Sequence, residues 1–206
     1  MTQRPGARRI WCAPIALAAV LALSWLPLPA RADDGYDLPF VQRVRAATES
    51  LRLQLWAEGD GYVRSTDYVP SVGVMYTDHD LFDPPDLAHP TVVIYDEAGR
   101  LVACEYQFEQ GAKVPAAFDD VPAVAWFDIP RHLHYNIEVD GQMYYAQAEW
   151  PTDDPPTADN LRKRGLMPDN GTLIFAFVHP LTHTFIVWAW LPNEDGPFAG
   201  ENAAMP

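Results

Sequence analysis

Three residues in one short run have the types and spacing to hold a metal ion: His132, His134 and Glu138, within His132-Leu133-His134-Tyr135-Asn136-Ile137-Glu138. If the run is a strand, its period of two places both imidazoles, Asn136 and the carboxylate on one face and Leu133, Tyr135 and Ile137 on the other. Imidazole nitrogens and carboxylate oxygens are the donors that borderline divalent cations select. A solvent-facing strand carries the same pattern, so both readings stand at the level of sequence. A further ligand from a later strand is available in His179, which ends one strand, or His183, which precedes another; His183 completes the first-choice set.

The other candidates are single residues. Glu105, in Val102-Ala103-Cys104-Glu105-Tyr106, is the candidate general base, or else an ordinary polar-face residue. Alternation groups it with Leu101, Ala103 and Gln107, opposite Val102, Cys104, Tyr106 and Phe108. His79, between Asp78 and Asp80, sits in an acidic loop, and His89 precedes Pro90 in another. Trp188 and Trp190, with Phe175 and Phe177 on a presumed neighbouring strand, read as core pairs; exposed, they would bind sugars or apolar ligands. Cys104 reads as a buried, inert thiol.

Positioning these residues falls mainly to β-structure. Leu38 to Ala57 is the one long helical pattern, with Val41, Val44, Ala47, Leu51 and Leu55 recurring every three or four residues. After Glu58-Gly59-Asp60-Gly61 the chain becomes short runs rich in Val, Ile, Phe, Tyr and Trp, separated by Pro, Gly and Asp. The expected strands are 62–65, 71–76, 91–95, 101–108, 132–139, 142–149, 172–179 and 184–191. Asp96-Glu97-Ala98-Gly99 and Asp140-Gly141 mark hairpins, and a third through Pro180-Leu181-Thr182-His183 would join the last two strands. Thr157 to Arg164, ended by Gly165, reads as a short capped helix. The expected architecture is a single α+β domain, an N-terminal helix packed on a curved antiparallel sheet or barrel of about seven to eight strands.

The first 32 residues read as an export signal. Arg4, Arg8 and Arg9 form a basic region, Ala13 to Leu28 is mostly apolar, and Ala30-Arg31-Ala32 supplies a cleavage site before Asp33. A spanning helix needs roughly 20 apolar residues, more than this run supplies around Pro27 and Pro29. Arg8-Arg9 also resembles a twin-arginine signal, which would export a folded, cofactor-loaded chain. The expected location is periplasmic or extracellular, with no stable membrane anchor in the mature form. The whole chain has 14 basic and 28 acidic residues; the signal contains four arginines and no acid, so ten bases face 28 acids in the mature form, a net charge of −18. Such a surface repels nucleic acid and anionic lipid and attracts cations. Only Cys104 remains after cleavage, so no disulfide forms within the mature chain. Nucleophile-elbow, zincin, phosphate-loop and dinucleotide signatures are absent from the sequence.

The spacing His132-x-His134-x3-Glu138 resembles the ligand core of the first cupin motif, although Trp126 and Tyr145 stand where that motif carries glycines. From about Val72 to Pro206 the chain resembles the oil-body-associated protein family, through Val93-Ile94-Tyr95-Asp96, Gly99 to Tyr106 and His132 to Gly141. The tail Val187-Trp188-Ala189-Trp190-Leu191-Pro192-Asn193 is also similar to a group of secreted bacterial proteins in which histidines stand at the positions of Met75 and Ile186. The cupin resemblance implies a metal; the others imply a shared fold. The sequence therefore points first to an exported binding protein holding a divalent transition metal or a small ligand on the concave face of a sheet. Two alternatives remain open: a cupin-like metal-dependent enzyme using the same residues with Glu105 as base, and a cell-envelope interaction module without a metal.

Overall fold

The computed structural model describes residues 36–78, 85–151 and 154–206, so the export segment, His79 and Asp80 lie outside the described residues. The described chain is mixed α+β, with few helices and nine strands in two antiparallel sheets. One sheet has six strands, in the order β1 (Tyr62–Arg64), β2 (Val74–Asp78), β3 (Val92–Tyr95), β4 (Leu101–Glu109), β9 (Thr182–Val187) and β5 (Phe127–Ile129). The other has three, β6 (His132–Val139) between β7 (Gln142–Ala148) and β8 (Thr172–His179). Both sheets are open, and no barrel closes among the described residues.

The expected long helix is divided. α1 covers Pro39–Ala47, with proline in its first turn, where the missing N–H leaves no bond unmade. A 3-10 turn follows at Glu49–Leu51, then the short α2, Gln54–Gly59. The break has a physical cause: the backbone of the intervening residues is taken up by the β3–β4 hairpin, Leu101 N–H donating to Arg52 O and Gln54 N–H to Gly99 O, both at 3.0 Å. Val41, Val44 and Leu51 are buried as their spacing implied, but Leu55 is 73% exposed because the stripe does not continue across the break. α1 sets Phe40 against Phe118, Phe185 and Phe198, in an aromatic core that also includes Tyr106 and Phe108 on the six-stranded sheet.

The opposite face of that sheet has a second apolar cluster, including Val92, Ile94, Ala103, Ile186 and Trp188. A bulge between β3 and β4 pairs Ile94 with Ala103 but Tyr95 with Leu101. Leu101 consequently joins Cys104, Tyr106 and Phe108, while Val102 joins Ala103 on the face of Glu105; simple alternation had exchanged the two. Met75 and Ile186 both pack in this second cluster. Cys104 is fully buried among apolar side chains, which pushes its thiol up to about 12 and leaves it inert.

The three-stranded sheet has its own core. Leu133, Tyr135 and Ile137 of β6 pack with Trp150, Leu161 and Met167, so the segment after β7, including α3 (Ala158–Lys163), covers that face. The Thr157 hydroxyl caps α3 by accepting from Asn160 N–H. Asp140 and Gly141 close the β6–β7 hairpin with φ of 53° and 80°, the positive pair that a two-residue turn requires.

The third expected hairpin does not form. β8 pairs with β6, whereas β9 pairs with β4 and β5, so the two residues Pro180 and Leu181 carry the chain from one sheet into the other. Pro130 and Arg131 do the same between β5 and β6. The pairs Phe127 with Thr184 and Ile129 with Thr182 precede this double crossing, and His132 with His179 follows it. The result is one antiparallel ribbon bent at a corner, where each proline lacks the N–H needed to extend a ladder. This topology puts Phe175 and Phe177 on β8 of the three-stranded sheet and Trp188 and Trp190 just beyond β9 of the six-stranded one, so the presumed neighbouring of the two strands does not occur.

Candidate functional site

The corner gathers three histidines. His132 and His134 stand two residues apart on β6, and His179 of β8 lies directly across from His132. The rings of His132 and His179 stack at 4.8 Å, and those of His132 and His134 lie 4.5 Å apart. Nε2 of His132 is 2.7 Å from Nε2 of His134. The Nδ1 atoms of His132 and His179 each point at a corner proline carbonyl, Pro130 O and Pro180 O, both at 2.7 Å. A carbonyl oxygen only accepts, so both Nδ1 atoms carry hydrogen and each neutral ring keeps its lone pair on Nε2. His134 Nε2–H then donates to His132 Nε2, leaving His134 Nδ1 buried with no hydrogen-bond partner.

Burial keeps this cluster neutral. It lowers His132, takes His134 down to about 2 with help from the charges that the other two rings would bring, and takes His179 down to about 4 with help from His132. Phe177 lies parallel to His134 at 5.0 Å, completing an aromatic lining that continues to Phe175. On the same face Asn136 Nδ2 donates to Arg64 O, at 2.9 Å, so the edge of the six-stranded sheet closes over β6 beyond His134.

From the other side β4 contributes Gln107 and Glu105, both buried. The Gln107 side-chain amide bridges them: one end lies 2.6 Å from His179 Nε2 and the other 2.5 Å from Glu105 Oε1. Glu105 faces Val92 and Ile186 across the sheet, and burial pushes its carboxyl up to about 7. The donor count fixes which way the amide points when His179 is neutral. His179 Nε2 is then a bare acceptor, so Gln107 NH2 faces it, Gln107 Oε1 faces Glu105, and Glu105 carries the proton between them.

The first-choice ligands thus divide. His132 and His134 come together as their spacing implied. Glu138 is exposed, about 13 Å of strand beyond His134 at ~3.3 Å per residue, with the Asn136–Arg64 contact between. His183 pairs with Phe108, on the face of the six-stranded sheet opposite Glu105 and Gln107. There its ring stacks on Trp126 at 4.7 Å and its Nδ1 meets Asp128 Oδ1 at 2.8 Å. His179 is the third histidine of the corner, and Gln107 is the residue sequence reasoning missed. The available signal was a proline immediately after His179 and another two residues before His132, which marks both strands as turning at one level.

Among the described residues, no group of three His, Cys, Asp or Glu side chains stands ready as a metal cage. Two open cavities lie elsewhere: one of about 270 Å³ beside Asp60, Tyr62 and His89, and one of about 370 Å³ beside Phe118, Trp126 and His183. The chain matches no family model, no curated protein and no solved structure.

Proposed function

We propose that this is an exported protein that binds a divalent transition metal at the histidine corner. His132 and His134 supply Nε2 ligands, and His179 supplies the third. The observation that carries the reading is the convergence of the His132 and His134 Nε2 atoms at 2.7 Å, with the far nitrogen of His132 held by a backbone carbonyl. Ligating histidines characteristically donate their second N–H in this way, which fixes both tautomer and ring direction. A tetrahedral metal with bonds of about 2.0–2.1 Å sets two ligand nitrogens about 3.3 Å apart, so this pair has to part by roughly 0.6 Å. The unpartnered Nδ1 of His134 leaves that ring free to move its proton as Nε2 takes up the ion. All-nitrogen donors favour Zn2+, Ni2+, Co2+ or Cu2+ over Mg2+ or Ca2+.

The deciding experiment is metal analysis of protein from its native compartment, followed by titration of the stripped protein with Zn2+. About one equivalent, bound tightly, supports the reading; less than about a tenth of an equivalent with no binding on titration refutes it.

Glu105 favours a second reading, a metal-dependent enzyme at the same corner. A buried carboxyl that titrates near neutrality suits proton transfer. It reaches the corner through Gln107 rather than directly, so its action would be relayed. A catalytic metal keeps an exchangeable water, whereas a carrier site is closed; water relaxation of a paramagnetic substitute such as Cu2+ separates the two.

A further inference from the structure

We infer that Gln107 is a latch on the third ligand of this site: in the metal-free protein its side-chain amide occupies the His179 nitrogen that the metal needs, and binding requires Gln107 to let go. The inference rests on the metal reading and adds to it a gate on the number of ligands. Of the two His179 nitrogens, Nδ1 is committed to Pro180 O, a backbone atom of the neighbouring residue, so Nε2 is the only one left for an ion. That atom sits 2.6 Å from the end of the Gln107 side chain, and whichever amide atom faces it, the lone-pair direction is blocked.

The latch is itself anchored. Gln107 backbone N–H donates to the Thr91 hydroxyl at 3.0 Å, and the far end of its amide bonds Glu105 at 2.5 Å. Glu105 therefore acts as a positioning residue for Gln107 and does not touch the metal. The hydrogen bond between His132 and His134 opens without displacing any other group, since the unpartnered His134 Nδ1 can carry the proton in place of Nε2. The corner accordingly takes up an ion in two stages, first on the His132–His134 pair and then on His179 as Gln107 is displaced.

The test is a double-mutant cycle on the full mature chain, with Zn2+ as the probe. Gln107→Met keeps nearly the same volume and removes both amide atoms. It should tighten Zn2+ binding about tenfold, the worth of one hydrogen bond no longer broken on binding. In a His179→Ala background the same substitution should change affinity less than about twofold. Affinity unchanged or weakened by Gln107→Met, or a gain that persists without His179, overturns the latch while leaving the metal reading intact. Absence of Zn2+ binding in both wild type and variants overturns the metal reading and the latch with it. Should Gln107→Met fail to fold, wild-type protein suffices: Zn2+ saturation should shift the His179 Nε2 and Gln107 side-chain amide 15N resonances together. A Gln107 amide resonance that stays put while those of His132 and His134 move refutes the latch.

Discussion

Two histidine neighbourhoods flank the same bend, and the difference between them is one of burial and of what holds the ring. Inside the corner, His134 and His179 are buried, and the ring of His179, like that of its half-buried neighbour His132, is oriented by a backbone carbonyl. Four residues after His179, His183 is exposed, stacked on Trp126 and held by the carboxylate of Asp128. The two residues between β8 and β9 send neighbouring histidines to different sheets, and period two in β9 then turns His183 away from Glu105 and Gln107. Residue type and closeness in sequence do not make a site; the corner does. Three imidazoles that share one corner can meet on one ion, whereas His183, though its Nδ1 is likewise held, has Trp126 and Asp128 for neighbours.

The comparison is broken most sharply by metal affinity. His132→Ala and His134→Ala should each weaken Zn2+ binding by at least about 100-fold, roughly 2.7 kcal/mol, because each removes a ligand rather than a supporting contact. His183→Ala and Glu138→Ala should each change it by less than about threefold. Calorimetric titration of the four variants reads both halves at once. If His183→Ala costs as much as His132→Ala, the ribbon does not bend at Pro180 and Leu181, and the two neighbourhoods are one site.

The next effect concerns Glu105 and needs no metal. Its folded carboxyl holds its proton up to about pH 7, whereas an unfolded one loses it near pH 4.3. Between these values the folded chain binds the extra proton, so this group's contribution to stability falls as pH rises through the window, and the cost is complete above pH 7. Glu105→Gln removes the titration while keeping an N–H to donate to Gln107 Oε1. The variant should match wild type at pH 4 and exceed it at pH 8 by on the order of 2 kcal/mol in urea unfolding. An equal difference at both pH values would show that Glu105 is not the desolvated group its surroundings make it.

The sequence carried much of this arrangement at the level of single strands and little at the level of pairing. β6 and β8 run over 132–139 and 172–179 as their apolar alternation implies, and Asp140-Gly141 turns as its φ angles demand. β5 has only three residues, too few for alternation to declare itself, and without it the second crossing at Pro130 is invisible. The bulge at Val102 reverses which of two apolar neighbours shares the face of Glu105, something no local pattern encodes. His132 and His134 needed only strand periodicity to come together. His179 and Gln107 needed the long-range register between β6, β8 and β4, which is set by the corner.

The smallest expected effect tests the outer neighbourhood on its own terms. Asp128→Ala removes the carboxylate that meets the His183 ring, at a site where the two side chains are 46% and 58% exposed. Exposed pairs of this kind contribute roughly 0–1 kcal/mol, and the stacking on Trp126 stays in place. The variant should therefore unfold within about 0.5 kcal/mol of wild type and bind Zn2+ unchanged. No equivalent substitution exists inside the corner, because the groups that orient His132 and His179 are backbone carbonyls that every side-chain replacement leaves behind. A loss above about 1.5 kcal/mol for Asp128→Ala would place the outer pair among the contacts that hold the bend, and would make the two neighbourhoods mechanically dependent rather than merely adjacent.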